Sequence, residues 1–176
     1  MGNPLPTEIV AKLKSEADLY SLLAEAKDSV FIAEISPAEI QGLIRAQTIR
    51  FCYEGDTLVG FGAWIVINSH WSEIGPFYTA QEHREKGIGR ALFDMVVDIN
   101  RQQGCKMYGV TKNPVMKSMF ERHGFDHVSL LALPSAIQLY LLRKLTVRKA
   151  LQLVRKFSFR EPIAHYTKTG SASETR

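Results

Sequence analysis

The sequence predicts an α+β (mixed α/β) domain folded around one twisted sheet. Three observations predict this fold class. Helix-period and strand-period apolar patterns alternate along the chain, and residues 48–79 form consecutive strand patterns joined by short turns. A glycine-containing turn then leads into an amphipathic helix that crosses to the next strand. The 176 residues suit a single domain with terminal additions.

Five helices are predicted from apolar spacing and from the residues that begin and end helices. Thr7 is a suitable N-cap for the first of them, and Gly104 ends the third. The predicted helices are 8–26, one beginning at Ser36-Pro37, 88–103, one running from Asn113-Pro114 to His123-Gly124, and 146–157.

Seven segments rich in β-branched and aromatic residues are predicted as strands. They are residues 29–34, 48–54, 57–67, 73–79, 105–111, 127–132 and 136–142. Gly55 and Asp56 give a tight hairpin between the second and the third strand. The last residues, 167–176, are predicted to be disordered from their composition.

The net charge of +4 is concentrated near the C-terminus. Residues 143–176 contain 9 Lys/Arg and 2 Asp/Glu, whereas residues 1–142 contain 13 Lys/Arg and 16 Asp/Glu. The predicted basic helix 146–157 has an apolar face that would dock on the domain or on a second subunit, which makes a homodimer one expectation. The alternative is an anionic partner: an acidic protein, lipid or nucleic acid. No recognised nucleic-acid motif is present, so nucleic acid is disfavoured as a partner.

The two cysteines do not indicate a disulfide scaffold. Cys52 and Cys105 lie in apolar stretches and form no C-x-x-C pair, so no metal site is expected either. The N-terminus, MGNPLPTEI, lacks the basic segment and the apolar run of a signal peptide. No apolar run approaches the ~20 residues that span a bilayer. We therefore expect a soluble, cytoplasmic protein without a transmembrane segment.

The turn at residues 84–89 (REKGIG) joins a strand to the amphipathic helix 88–103. The first amides of a helix have no intrahelical acceptor, and the helix dipole places about half a positive charge there. Phosphate oxygens satisfy both, and Gly87 and Gly89 let a ligand approach the backbone. No P-loop motif is present, and Leu92 stands where the dinucleotide fingerprint needs a small residue. The turn alone fits either a phosphate site or a plain glycine-capped loop.

This turn and a second motif resemble the GNAT superfamily of acyl-CoA-dependent N-acyltransferases. The residues from Arg84 to Gly89 fit the family pattern R/Q-x-x-G-x-G/A between a strand and a helix. The family's next motif is a strand ending near Asn, then a helix that finishes [FY]-E-[KR]-x-G-F. Here Asn113 begins that stretch, and Phe120 to Phe125 (FERHGF) closes it.

The resemblance covers roughly residues 37–143 and implies an organisation for the whole chain. It implies a GNAT-type central, twisted, mostly antiparallel sheet of about six to seven strands that is flanked by helices. We expect an N-terminal helical segment at residues 1–28 and an acetyltransferase core at residues 29–145. An additional basic helix with a flexible tail should occupy residues 146–176.

The resemblance also implies acetyl-CoA as the co-substrate. Strand 73–79 should splay from strand 105–111 and accept the pantetheine arm through its backbone, while the amides of the turn hold the pyrophosphate. The implied coenzyme-binding residues are Phe77 and Thr79 on the strand, Arg84, Glu85, Lys86, Gly87, Ile88, Gly89 and Arg90 in the turn, and Asn113 and Phe120 in the second motif.

The family reaction is direct attack of an amine on the acetyl thioester, so some group must take the proton of the amine. Glu73 is the candidate base because it begins the strand where several family members place a catalytic Glu; the alternative is a solvated strand-end carboxylate. Many members have Tyr where this chain has Phe120, which has no proton to donate. Tyr78 and Tyr108 are the nearest alternative acids, with core packing as the competing interpretation. His70 lies in a loop from which it would touch substrate or only solvent.

These features predict an N-acetyltransferase that moves an acetyl group from acetyl-CoA to a primary amine of a small molecule or a peptide. One alternative is a catalytically weak acyl-CoA-binding GNAT module, which Phe120 keeps open. The other is an acyltransferase acting on a protein or nucleic-acid substrate that the basic tail recruits. No cluster in the sequence identifies the acceptor.

Overall fold

A computed structural model describes residues 7–27, 35–144 and 163–169. The described residues form two compact units, each made of two stretches of chain. The first unit takes its residues from Met1–Ile65 and Ile74–Ile99, and the second from Val66–Glu73 and Asn100–Arg176.

Seven strands and five α-helices are present among the described residues. They are β1 (Thr7–Val10), α1 (Glu16–Lys27), α2 (Pro37–Arg45), β2 (Ile49–Glu54), β3 (Thr57–Val66), β4 (Trp71–Thr79), α3 (Ile88–Gln102), β5 (Lys106–Thr111), α4 (Pro114–Arg122), β6 (Asp126–Val128), α5 (Ser135–Lys144) and β7 (Ala164–Lys168). The strand order is β1-β2-β3-β4-β5-β7-β6. Strands β4 and β5 pair in parallel, and the pairs β1–β2, β2–β3, β5–β7 and β6–β7 are antiparallel. This mixed, mostly antiparallel architecture confirms the predicted fold class.

The prediction of a first helix over residues 8–26 is wrong at its N-terminal end. Thr7 is not a helix cap but the first residue of β1, which lies at the edge of the sheet and pairs with β2. Ile9 lies opposite Cys52 in this register, so pairing with a distant strand overrides the local apolar spacing. The helix itself begins at Glu16.

The first unit has apolar clusters on two faces of its strands. Leu19, Leu22 and Ile40 of the first two helices pack with Phe51 and Phe61 of the hairpin. A second cluster contains Cys52, Val59, Ile88 and Leu92, with Phe77 packed against it. The predicted Ser36 cap is confirmed, because its hydroxyl oxygen accepts from the Glu39 amide at 3.2 Å while the Glu39 carboxylate accepts from the Ser36 amide at 2.8 Å.

The second unit contains the largest departures from the sequence prediction. Residues 136–142, predicted as a strand, lie in α5, where Ile137 is buried and Leu139 and Leu142 are exposed. Residues 127–132, also predicted as one strand, contain the end of the short β6 and a 3-10 turn at Leu130–Ala132. The apolar residues from Leu130 to Leu142 fit both the two-residue period of a strand and the 3.6-residue period of a helix. The sequence pattern alone therefore did not distinguish a strand from a helix here.

A strand that the sequence did not predict lies between β5 and β6. Thr167 and Lys168, expected to be disordered, belong to this β7 strand and lie opposite Tyr108 and Met107 of β5. The predicted strand 29–34, the basic helix 146–157 and the last residues, 170–176, lie outside the described residues. The predictions that rest on the basic helix, a homodimer and an anionic partner, stay predictions.

Two structural features are absent from the described residues. No helix in the described ranges combines the length and the apolar character needed to cross a membrane. Across the same ranges, no group of three or more His, Cys, Asp or Glu side chains is arranged to hold a metal ion. The expected cytoplasmic location and the predicted domain boundaries stay predictions.

Residue 109 of β5 must be a glycine, because an aromatic ring covers its backbone. A Cβ built on Gly109 would lie 2.2 Å from Cζ of Phe120. That ring cannot retreat easily, because it stacks on Tyr166 with centroids 5.1 Å apart and meets the edge of Phe125 at 4.9 Å. We therefore expect Gly109→Ala to destabilise the fold by about 1–3 kcal/mol, an overpacking cost.

This destabilisation can be measured by thermal unfolding. It corresponds to a fall in Tm of roughly 2–12 °C, at about 2–4 °C per kcal/mol for a chain of this size. The matched control is Gly42→Ala in α2, where a Cβ meets no heavy atom within 4 Å. An equal Tm for Gly109→Ala and the parent chain would contradict the packing described here.

Candidate coenzyme and catalytic sites

The predicted phosphate turn lies in the first unit, between β4 and α3. Its backbone uses the left-handed region twice, with φ of +65° at Glu85 and +82° at Gly87. Ala91 donates its amide to the Gly87 carbonyl at 3.0 Å, which begins the helical hydrogen-bond ladder. By helix geometry, the amides of Ile88 and Gly89 precede that ladder and have no intrahelical acceptor. The turn therefore presents backbone donors at the positive end of a 15-residue helix.

Gly89 leaves open space above these amides. A Cβ built there meets only the Thr79 hydroxyl oxygen, at the ordinary contact distance of 3.5 Å. The neighbouring Ile88 is buried and packs with Val59 and Leu92, so it anchors the turn to the sheet. The turn thus combines a fixed inner side with an unobstructed outer side, an arrangement that fits an approaching anion.

The basic side chains of the turn are held by the unit's own acceptors. Arg84 donates from Nε to the Thr79 carbonyl at 3.3 Å. The Glu54 carboxylate lies 3.5 Å from the Lys86 ammonium and 2.8 Å from Nδ1 of His83. Because Glu54 contacts residues on both sides of Glu85, it ties the turn to the end of the β2–β3 hairpin.

Neighbouring residues of β4 point to opposite faces of the first unit, as alternation along a strand requires. Phe77 packs toward α3, with its ring centroid 5.5 Å from that of Phe93. Thr79 shares this face and lies beside Gly89. Tyr78 instead belongs to the cluster formed with α1 and α2. Among these three, the structure therefore places Phe77 and Thr79 on the face that carries the turn's helix.

The hydroxyl of Tyr78 is hydrogen-bonded to a carboxylate. Its hydroxyl donates to Glu25 of α1 at 2.9 Å, and the same carboxylate oxygen accepts from the Gln81 amide at 2.7 Å. Burial, and then the Glu25 hydrogen bond, raise the pKa of Tyr78 to about 12. Because the hydroxyl proton of Tyr78 is held in this hydrogen bond, a structural role for Tyr78 is favoured over that of general acid.

An open cavity of about 910 Å³ also lies in the first unit, beside α1. Four carboxylates line it, those of Asp18, Glu25, Asp56 and Glu82. Their negative charge would repel a pyrophosphate, so this cavity does not compete with the turn as a phosphate site.

Glu73 lies in the second unit, at the last position where β4 pairs with β5. Its side chain is only 13% exposed, and its Oε2 accepts from the Lys144 ammonium at 2.7 Å. The Tyr140 hydroxyl donates to the same oxygen. Burial, and then the negative charge of Glu73, raise the pKa of Tyr140 well above its ordinary value. Glu73 is therefore not the solvated strand-end carboxylate of the alternative interpretation.

Tyr108 lies next to Glu73 in the β4–β5 register and is fully buried. Its hydroxyl forms a 2.8 Å hydrogen bond with Nδ1 of His165 on β7. Burial, and then the charge of Glu73, raise the pKa of Tyr108, whereas burial lowers the pKa of His165. The pair therefore favours a neutral histidine bonded to a protonated tyrosine.

Tyr140 and Lys144 were not predicted as site residues, because residues 136–142 were interpreted as a strand and the α5 helix was not expected. In α5 the two residues are four apart and therefore share a helix face, the face that Glu73 meets. The spacing of Ile137, Tyr140, Leu141 and Lys144 is the pattern that could have revealed this face.

Both candidate residues of the second motif stabilise the local structure. Asn113 caps α4, with its side-chain oxygen accepting from the Val115 amide at 2.9 Å. Phe120 is 1% exposed and packs among the rings of Phe125 and Tyr166. Their predicted contacts with the coenzyme stay predictions.

A protein-family model identifies the chain. The model described as "Acetyltransferase (GNAT) family" matches residues 16–125, more than half of the sequence. The chain belongs to the GNAT acetyltransferase family. The resemblance seen in the two motifs is thereby confirmed. No curated protein sequence is significantly similar to the chain.

Solved structures of other GNAT proteins share the fold. Rv2747 from Mycobacterium tuberculosis, determined in complex with CoA, has a TM-score of 0.69 at 15% identity over 92% of this chain and 98% of that one. The ribosomal-protein-alanine N-acetyltransferase of Brucella melitensis has a TM-score of 0.63 at 16% identity over 92% and 99%.

A larger protein also contains this fold. N-acetylglutamate synthase from Neisseria gonorrhoeae, complexed with coenzyme A and N-acetyl-glutamate, has a TM-score of 0.65 at 16% identity. The match covers 92% of this chain but spans only about a third (35%) of the synthase. At these identities the three neighbours establish the fold of this GNAT acetyltransferase and not its acceptor.

Proposed function

We propose that this GNAT protein transfers an acetyl group from acetyl-CoA to a primary amine by direct attack. The observation that carries the proposal is the turn between β4 and α3. It presents the first amides of α3, which have no intrahelical acceptor, with an open position at Gly89 and a fixed inner side at Ile88. Two of the structural neighbours are complexes with coenzyme A, which supports the same ligand here.

The proposed coenzyme site uses the residues that match the family's motifs. The amides of residues 85–90 hold the pyrophosphate, and the backbone of Phe77 and Thr79 receives the pantetheine arm. Asn113 and Phe120 complete the proposed coenzyme contacts.

Glu73 acts as the general base in this proposal. It takes one proton from the acceptor ammonium, and the neutral amine attacks the thioester carbonyl carbon. The C–N bond forms, the C–S bond breaks and coenzyme A leaves as a thiolate. The nitrogen loses its second proton, which solvent carries to the thiolate. Because the pKa of an ordinary thiol is about 8.5, coenzyme A can leave as a thiolate without a dedicated acid. Phe120 has no proton to donate.

Acceptors that carry the amine of an amino acid or a peptide are the favoured class. The names of two neighbours support this class: one synthesises N-acetylglutamate, and the other acetylates the alanine of a ribosomal protein. A second candidate function is acyl-CoA binding without efficient transfer. The observation that favours it is the ion pair of Glu73 with Lys144, because an external amine must displace that ammonium.

An amine-library assay read by released thiol tests the proposal. We expect thiol release that depends on the added amine and continues for many turnovers. An alanyl peptide offers an α-amine, and Nα-acetyl-lysine offers only an ε-amine, so this pair separates the two acceptor classes. Reactions without an amine and with denatured protein are the controls.

The outcomes of the assay separate the two functions. Amine-dependent turnover supports transfer to the class that reacts. Binding of acetyl-CoA without turnover on any amine would overturn transfer and support the binding module.

A further inference from the structure

The ammonium of Lys144 occupies the position that an acceptor amine needs. A general base must lie within about 2.6–3.2 Å of the group whose proton it takes, or one water away. Nζ of Lys144 lies 2.7 Å from Oε2 of Glu73. The chain therefore holds one of its own primary amines at the proposed base.

We propose that the protein acetylates itself on Lys144, in an intramolecular reaction that uses the acetyl donor of the main reaction. The proposal rests on the proposed role of Glu73 as base. Its substrate class is a thioester acyl donor together with an internal lysine ε-amine.

The surroundings of Lys144 suit a reacting amine. Lys144 ends α5, and its side chain is 37% exposed, so the side chain is partly accessible while its nitrogen is bonded to Glu73. The nitrogen also lies 4.6 Å from the centroid of the Tyr140 ring, which limits its positions. An amine held in this way reacts with a high effective concentration, because its translational freedom is already lost.

The reaction balances as follows. Glu73 accepts one proton from the Lys144 ammonium, and the neutral nitrogen attacks the thioester carbonyl carbon. A C–N bond forms, the C–S bond breaks and coenzyme A leaves as a thiolate. The second proton of the nitrogen reaches the thiolate through solvent, and Glu73 returns its proton to solvent. The products are acetyl-lysine and a free thiol.

Acetylation of Lys144 has a consequence for the site. The amide that forms carries no charge, so the ion pair with Glu73 is lost. Glu73 then becomes available to an external ammonium. The modification would thus convert a protein that holds its own amine at the base into one that is open to another acceptor.

The test is incubation of the full chain with acetyl-CoA and no added amine, followed by mass spectrometry of the sites. We expect one dominant acetyl group on Lys144, formed about 10²-fold faster than on the exposed Lys12 of the same molecules. The rate per chain should not change when the protein is diluted, because the reaction is intramolecular. Equal rates at Lys144 and Lys12, or a rate proportional to protein concentration, would overturn the proposal.

Two variants add to this comparison within the native chain. Lys144→Arg keeps a cation beside Glu73 and should abolish the dominant acetylation, whereas Lys12→Arg should not change it. Transfer to external amines without acetylation of Lys144 would overturn the inference and leave the proposed function standing. Acetylation of Lys144 without transfer to any added amine would support the inference and overturn the proposed function.

Discussion

Replacing Glu73 with glutamine should lower kcat for amine acetylation by about 10²- to 10⁴-fold, the usual contribution of a general base. The affinity for acetyl-CoA should change little, because the proposed coenzyme site lies in the turn before α3. Glutamine keeps a side-chain oxygen that can accept from Tyr140 and Lys144, so the local hydrogen bonds survive. The variant therefore removes proton acceptance while it preserves the surroundings.

Steady-state kinetics and calorimetric binding of coenzyme A measure these two effects separately. The matched control is Glu121→Gln, which alters another carboxylate of the second unit that accepts a tyrosine hydroxyl, that of Tyr166 at 3.0 Å. We expect the control to retain kcat within a few-fold. Unchanged turnover of Glu73→Gln across the pH range would remove Glu73 as the base, and an equal loss in both variants would indicate a structural effect.

The structural features near the proposed site that the sequence predicted are those encoded by local residues. Glycine adopts the positive φ of Gly87 without strain, and its missing Cβ leaves the backbone open at Gly89, whereas no glycine signals the positive φ at Glu85. Asn113 was predicted to begin a helix, and it caps α4. Backbone conformation and capping depend on neighbours a few residues away, which is why one sequence suffices to predict them.

The parts that the sequence did not predict depend on distant pairing. β1 forms because Ile9 lies opposite Cys52, and β7 forms because Tyr166 lies opposite Gly109, partners more than 40 residues away. Neither partner is visible in a local window, so the strand propensity of each segment alone was too weak. The same long-range order determines which residues surround Glu73.

The most consequential error concerned α5. Its residues include a run of apolar side chains, of which Ile137 is buried and Leu141, four residues later, is partly buried. This helical spacing becomes recognisable only beside the strands that the two side chains cover. The strand interpretation of residues 136–142 did not reveal that Tyr140 and Lys144 lie beside Glu73. Their positions change the chemistry, because they make Glu73 a paired carboxylate and supply the chain's own amine.

The largest expected effect on coenzyme binding comes from Gly89→Trp. The indole would fill the open space above the amides of the turn and exclude a pyrophosphate, whereas the α3 ladder that begins at Ala91 would remain. In the parent chain, acetyl-CoA at about 100 times its Kd should stabilise the fold by about 2.7 kcal/mol. That free energy corresponds to a rise in Tm of roughly 5–11 °C. We expect no such rise in Gly89→Trp.

The control substitutions decide what the loss would mean. Gly42→Trp places the same side chain on a helix of the same unit, where a Cβ meets nothing within 4 Å, and it should keep the full thermal shift. Gly89→Ala adds only a methyl group in ordinary contact with Thr79, so it should fold normally and weaken binding less than tryptophan does. A full shift in Gly89→Trp would mean that the turn is a glycine-capped loop and that the coenzyme binds elsewhere. Graded loss from glycine through alanine to tryptophan, with Gly42→Trp unaffected, requires a ligand that contacts the backbone at residue 89.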